Sequence, residues 1–307
     1  MPRPLPRTAF PAGPFRPADL VAAGHPVART RHPSLARPTR GVRSPAWPSD
    51  LQDRVAAFTL ALPADVAFSH RTAALLHGMP MPRSVERDPV LDIMRRSDRT
   101  RIRRAGCRGH RGLERRAVDE VSGVRVVGLA DTWCDLGECV GPTLGRDDLV
   151  VAADSVVGRL EAGAGSLRQV LDGRCRPRGR RVLLDALSLV RPGVRSPMET
   201  RARLMFHDAG FPEPEVNGVV RDAAGGWLLE GDLVWRDQQV VGEYQGEDHA
   251  DRRRRSTDAQ RAGLASDLGW TVLELFAEDV WRSPRRRLTL LRFARELGLE
   301  TSGLRIG

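Results

Sequence analysis

The chain has 307 residues, of which 41% are hydrophobic and 29% charged, a composition typical of a folded protein with two or three domains. Its 49 basic residues are all arginine, and the net charge is +10. This charge favours a polyanionic partner such as nucleic acid. The alternative is a compositional bias, because a GC-rich genome also encodes many arginines. The N-terminus has no apolar signal core and no apolar run reaches membrane-span length, so we expect a cytoplasmic protein with no membrane partner.

The four cysteines do not indicate a metal site. None forms a C-x-x-C pair, and the one close pair has no histidine beside it. Free thiols in a reducing compartment are therefore expected at Cys107, Cys134, Cys139 and Cys175.

Residues 1–48 combine proline with arginine. A short helix is predicted from Pro17 to Gly24, where glycine ends it. The arginines of residues 25–48 then favour either an Arg-rich wing or a basic linker, and the segment alone does not decide between them.

Residues 49–193 predict an α+β region. The dense arginine set between Arg95 and Arg116 indicates either a solvated face or phosphate contacts. From apolar spacing and cap residues, helices are expected at 51–62, 69–77, 129–136, 147–160 and 182–190, and strands at 89–94 and 124–127.

Residues 194–300 predict a third region with the order α-β-β-β-α-β-α. Its first helix begins at Ser196, an N-cap residue, and Glu199 completes a capping box. The remaining elements are strands at 216–221, 227–235, 240–245 and 270–276, and helices at 256–268 and 285–297, the last capped by Ser283.

Two neighbouring strands of this region carry polar side chains at fixed positions. Because a strand alternates faces with period two, a hairpin of 227–235 and 240–245 brings Asp232, Glu243 and Gln245 onto one face. Carboxylates inside an apolar frame are costly unless a cation lies between them. A divalent metal ion is therefore predicted here.

The region resembles the PD-(D/E)XK nuclease fold, and more closely the Vsr-like (very-short-patch-repair-like) endonuclease domains. This resemblance covers about residues 194–298 and implies a restriction-endonuclease-like α/β domain whose mixed central sheet is flanked by helices. Four blocks carry it: Ser196-Pro197-Met198-Glu199, Asp232-Leu233-Val234-Trp235, Glu243-Tyr244-Gln245-Gly246-Glu247-Asp248-His249 and Gly269-Trp270-Thr271-Val272-Leu273.

The resemblance implies Mg²⁺ (or Mn²⁺) held by Asp232 and Glu243, with Glu199 joining from the first helix. Gln245 lies where the wider fold usually has lysine, and it would orient a water without supplying charge. His249 would handle a proton or be structural. Arginines just after the site would contact DNA phosphates or form a solvated face: Arg252, Arg253, Arg254, Arg255 and Arg261.

A looser resemblance links the N-terminal part to the winged-helix antitoxin domain of abortive-infection (type IV) toxin–antitoxin systems. It rests on Ser69-His70-Arg71-Thr72-Ala73-Ala74-Leu75-Leu76-His77-Gly78. It implies a winged-helix-like DNA-binding region at 1–48 and an antitoxin-like middle region at 49–193, and the Vsr-like resemblance implies a nuclease domain at 194–300.

The sequence thus predicts a metal-dependent DNA endonuclease with an N-terminal DNA-binding module. The alternative is a non-catalytic, antitoxin-like DNA-binding regulator that keeps a degenerate nuclease fold. A cognate toxin or a second copy of the chain stays open as a further partner.

Overall fold

The computed structural model describes residues 10–141, 143–222, 224–246, 267–281 and 284–306. The chain divides into two compact units, each with its own mixed β-sheet. The N-terminal unit is Met1–Gly78 with Arg83–Asp135, and the C-terminal unit is Met79–Pro82 with Leu136–Gly307. The expected α/β class is confirmed at this coarse level, and no described helix is long and apolar enough to cross a membrane.

The described strands and helices are numbered in chain order. The strands are β1 (Ala67–Phe68), β2 (Leu91–Arg95), β3 (Cys107–Arg111), β4 (Val118–Val121), β5 (Val124–Val127), β6 (Glu215–Arg221), β7 (Trp227–Trp235), β8 (Val240–Tyr244) and β9 (Thr271–Leu275). The helices are α1 (Pro17–Ala22), α2 (Val27–Thr30), α3 (Leu51–Thr59), α4 (His70–Leu76), α5 (Arg83–Glu86), α6 (Leu129–Leu136), α7 (Arg146–Val157), α8 (Ala164–Asp172), α9 (Arg180–Ser188), α10 (Pro197–Ala209), α11 (Ala277–Val280) and α12 (Pro284–Glu296).

The N-terminal unit is built on a five-stranded sheet with the strand order β3-β2-β1-β5-β4. The central strand β1 pairs antiparallel with β2 and parallel with β5. Side chains of α3 and α4, including Phe58 and Leu76, form one buried cluster with Phe68 and Ile93 of the sheet. Burial of this apolar surface is the main force that holds the unit together.

Buried Asp92 organises part of the arginine-rich segment. Its side chain lies on β2, and its carboxylate accepts hydrogen bonds from Arg71 (2.9 Å), Arg108 (3.1 Å) and His110 (3.0 Å). A buried carboxylate is tolerated only when it is paired in this way. These contacts give Arg108 a structural partner, which is a third outcome beside the expected solvated face and phosphate contacts.

Most predicted elements lie where the spacing placed them, but several short ones were missed. β1 has only two residues, β3 has the polar sequence Cys-Arg-Gly-His-Arg, and β4 carries two acidic residues. None of the three shows the apolar alternation that marks a strand in a sequence. The helices α5, α8 and α11 were also missed, whereas the expected helix at 256–268 falls almost wholly outside the described residues.

The C-terminal unit carries a four-stranded sheet with the order β6-β7-β8-β9. The first three strands are antiparallel, and β9 runs parallel to β8. Phe206 of α10 lies at the centre of an aromatic cluster, with ring centroids 5.0 Å from Trp235 and 4.7 Å from Phe293. One face of the sheet therefore packs against α10 and α12.

Helix α10 is fixed to its neighbours by a buried ion pair. Arg203 donates to Asp154 of α7 at 3.0 Å and to the carbonyl of Leu189 at 2.7 Å. Both charged side chains are fully buried. Asp154 also accepts from the Thr200 hydroxyl at 2.9 Å and from the Arg191 backbone N–H at 2.8 Å. These hydrogen bonds form one network that connects α7, α10 and the chain after α9.

Replacing Arg203 with methionine, which keeps most of the side-chain volume, is expected to lower the free energy of unfolding by about 3–5 kcal/mol. The reason is that Asp154 then stays buried without its cation. Urea denaturation of the full chain measures the change. Arg168→Met is the matched control, because Arg168 makes an exposed i,i+4 pair with Asp172 and should cost at most about 1 kcal/mol. Equal losses in the two variants would contradict the assigned role of the buried pair.

Candidate metal-binding site

The pairing of β7 with β8 brings Asp232 and Glu243 together. The register joins Leu233 to Gly242 and Val234 to Val241. One further step along this antiparallel register sets Asp232 opposite Glu243, and opposite residues project from the same face. The strand-parity prediction for these two side chains therefore agrees with the strand register in the structure.

Asp232 is held by the neighbouring strand. It is partly buried, and its Oδ2 accepts a hydrogen bond from the Tyr244 backbone N–H at 2.7 Å. Burial raises the pKa of the Asp232 carboxyl above its usual value, and the hydrogen bond from Tyr244 opposes this rise. The negative charge of Glu199 raises the pKa further. The ionised carboxylate is thus held where a cation would stabilise it.

Glu199 reaches the same acidic region from the first turn of α10. Ser196 caps this helix by accepting from the Glu199 backbone N–H at 3.1 Å. The Glu199 carboxylate accepts from the Arg195 backbone N–H at 2.9 Å rather than from Ser196, so the predicted reciprocal capping box is wrong in this half. The side chain is only 7% exposed, and its charge acts on Asp232. The helix start therefore positions a buried carboxylate beside the sheet.

Asn217 was not recognised from the sequence. It lies in β6 with φ of +50°, a left-handed conformation that is rare for residues other than glycine. Its Nδ2 donates to Glu199 Oε2 at 3.0 Å and to the Gly193 carbonyl at 2.9 Å. Backbone strain of this kind clusters at functional sites. The signal in the sequence was the Asn217-Gly218 dipeptide, a turn pattern inside an apparent strand.

Both donors to Glu199 bind the same oxygen. Arg195 N–H and Asn217 Nδ2 contact Oε2, and no described residue donates a hydrogen bond to Oε1. The carboxylate is therefore oriented by two fixed donors while one of its oxygens keeps its lone pairs for another ligand.

Two further glutamates flank the site. Glu274 of β9 is the register partner of Glu243 and lies exposed on the same face, since paired residues of parallel strands point the same way. On the other side, Glu230 pairs with Arg195 at 2.5 Å. Glu274 could not be assigned from the sequence, because the register between β8 and β9 cannot be read from spacing alone. Glu230 lies two residues before Asp232 on β7, so strand parity places it on the same face, although it was not predicted as a site residue.

The other predicted site residues have different outcomes. Gln245 directly follows β8, is exposed, and donates its backbone N–H to the Leu275 carbonyl at 2.7 Å. His249 and the arginines expected to contact phosphate, Arg252, Arg253, Arg254, Arg255 and Arg261, lie outside the described residues.

The chain is similar to two proteins of Mycobacterium tuberculosis, one from strain CDC 1551 / Oshkosh and one from strain ATCC 25618 / H37Rv. Both are named as uncharacterized proteins, MT2308 and Rv2248. Each is 31% identical over 135 residues, which is 41% of this chain and 49% of the relative. The chain thus spans about half the length of the curated relatives it matches. No family model matches the chain, and no solved structure matches it.

Asp232→Asn is expected to stabilise the metal-free protein at pH 7, on the order of 0.5–2 kcal/mol. Because the pKa of Asp232 is raised in the folded state, folding disfavours the ionised form at neutral pH, and that cost vanishes as the pH falls below the usual carboxyl range. Thermal unfolding with a chelator at pH 7 and at about pH 4 measures the difference.

The matched control for this measurement is Asp237→Asn, which changes the same charge in the exposed β7–β8 turn and should leave stability unchanged. If the metal-free Asp232→Asn protein is less stable than wild type at pH 7, the ionised Asp232 carboxylate does not destabilise the fold, and the prediction is wrong.

Proposed function

We propose that the C-terminal unit is a metal-dependent DNA endonuclease with a Vsr-like, restriction-endonuclease-like arrangement. One observation carries the proposal. Asp232, partly buried and with a raised pKa, lies opposite Glu243 and within the field of buried Glu199. Neighbouring carboxylates that are partly removed from water repel one another, and a divalent cation that binds between them would neutralise their charge.

The element order supports this assignment. A helix carrying an acidic residue precedes three antiparallel strands, and a fourth strand is parallel to the third. The acidic residues come from the helix start and from two adjacent strands, as the resemblance implies. A fold does not by itself establish an activity, whereas the carboxylates supply the chemistry that metal binding requires.

The residues divide the work of phosphodiester hydrolysis. Asp232 and Glu243 would hold Mg²⁺ or Mn²⁺, which lowers the pKa of bound water and neutralises charge on the phosphate. Glu199, oriented by Asn217 and Arg195, would accept hydrogen bonds from a water or complete the ligand set. Gln245 would orient the attacking water through its amide.

A non-catalytic DNA-binding regulator is the second candidate. The observation that favours it is the exposed, uncharged Gln245 in a chain that contains no lysine. Such a site would bind a metal ion or DNA without the charged group that commonly assists the attacking water in this fold.

Plasmid cleavage in Mg²⁺ or Mn²⁺ tests the two functions. Wild type should nick or cut DNA, and Asp232→Asn and Glu243→Gln should each lose on the order of 100-fold or more in rate. Asp237→Asn, the exposed turn variant, should cleave like wild type. Full cleavage by both site variants would exclude the proposed site. A wild type that binds DNA but never cleaves it would favour the regulator.

Asn217→Gly tests the orientation of Glu199. Glycine adopts positive φ without strain, so the variant removes the hydrogen bonds of Asn217 and keeps the backbone. We expect Mn²⁺ affinity, measured by titration calorimetry, to fall roughly 10- to 100-fold, as for other residues that orient metal ligands. The thermal midpoint should stay near that of wild type. An unchanged Mn²⁺ affinity would remove Asn217 from the site.

A further inference from the structure

The N-terminal unit has a concentration of uncompensated positive charge. Two adjoining cavities, of about 540 and 510 Å³, share Arg104 and Ala105 in their walls, and neither wall contains an acidic residue. Among the residues that the structure describes, six arginines of these walls have no carboxylate at ion-pair distance: Arg37, Arg40, Arg43, Arg101, Arg103 and Arg104.

This absence of partners is not general in the unit. Arg71, Arg95, Arg108 and Arg116 each pair with an aspartate. Arg104 instead donates only to neutral oxygens, namely the Thr39 hydroxyl at 3.0 Å and the carbonyls of Arg40 and Ala61 at 2.9 and 3.2 Å. The N–H groups of Arg104 are therefore hydrogen-bonded, but no negative charge neutralises its guanidinium group.

The arginine-bearing loop is held in one conformation. Ala36 and Ser44 exchange backbone hydrogen bonds of 2.9 and 3.1 Å and so close a hairpin-like loop. Val42 inside the loop is fully buried in the core of the unit. With Arg104 fastening the tip, the charges are preorganised, which lowers the ordering cost of binding an anion.

An exposed indole lies beside these arginines. Trp47 is 70% exposed and lines a third cavity together with Arg37, which also lines the first. A large apolar ring left in water next to a row of cations is the combination that binds unpaired bases and their phosphates.

We propose that this surface binds single-stranded nucleic acid, with the arginines on the phosphates and Trp47 stacked on an unpaired base. Bases inside a duplex are stacked on one another and do not offer a face to an indole. The inference shares with the proposed nuclease only the class of ligand. It needs no metal ion and uses no residue of the C-terminal site.

Fluorescence anisotropy in EDTA tests it, because cleavage is then absent and the outcome does not depend on the nuclease proposal. The probes are a labelled 20-mer oligothymidylate, the same strand in duplex with oligoadenylate, and an oligouridylate that separates DNA from RNA as the source. Wild type should bind at least one single strand more tightly than the duplex.

The triple variant Arg37→Gln/Arg40→Gln/Arg103→Gln should weaken single-strand binding at least roughly tenfold and lower the salt slope of log K by about 2, since about 0.7 counterions are released per phosphate contact. The charge-matched control is Arg96→Gln/Arg168→Gln/Arg180→Gln, whose exposed arginines are all paired with aspartates. It should bind nearly as wild type.

Trp47→Ala should lose roughly 5- to 150-fold in single-strand affinity and little in duplex affinity, whereas Trp47→Phe should retain most of it. Thermal unfolding confirms that each variant is folded. Three results would overturn the proposal: a duplex bound at least as tightly as both single strands, equal losses in the two triple variants, or an unchanged affinity in Trp47→Ala.

Discussion

The Arg203–Asp154 pair is the constraint on which the geometry of the C-terminal unit depends. Both charges are fully buried, and each is bonded to a further polar group, either on α10 or in the chain after α9. Two ions removed from water need fixed geometry to repay their desolvation, so the pair admits little movement of α10. One turn earlier on the same helix lies Glu199. The acidic side chain contributed by a helix thus keeps a fixed position relative to acidic side chains contributed by a sheet.

The two units handle charge in opposite ways. In the C-terminal unit, carboxylates are drawn together and partly removed from solvent, with the pKa of Asp232 raised as a result. In the N-terminal unit, guanidinium groups line cavities without acidic neighbours. Each arrangement costs free energy in the unliganded protein, since like charges repel. The two proposals made for these sites share one class of ligand, since a phosphodiester is an anion and the cation it binds is attracted to carboxylates.

Long periodic elements could be predicted from the sequence because their pattern is local. Helix α10 was readable from its N-cap and apolar stripe, and the face shared by Asp232 and Glu243 followed from strand parity. Asn217 and Glu274 could not be found in this way. The role of Asn217 depends on a left-handed backbone and on a contact with a residue 18 positions away. The position of Glu274 depends on the parallel pairing of β9 with β8, two strands that are far apart in the sequence. Strands β1, β3 and β4 were missed because they are short or polar and gain their stability from neighbours.

The hydrogen bond from the Tyr244 backbone to Asp232 also favours the observed register of β8 against β7. A slip of one residue would turn Glu243 toward the aromatic core and carry Val240 to the acidic face, while the Asp232 carboxylate would lose its hydrogen bond from the Tyr244 N–H. The misaligned strand would bury the charge of Glu243 without a partner and would leave the Asp232 carboxylate without its hydrogen bond. The observed alignment therefore avoids both of these costs, because Asp232 keeps its donor and Glu243 stays out of the aromatic core. Repulsion between the acidic side chains lowers the stability of the folded protein, but the same side chains disfavour other strand registers and so help to specify one fold.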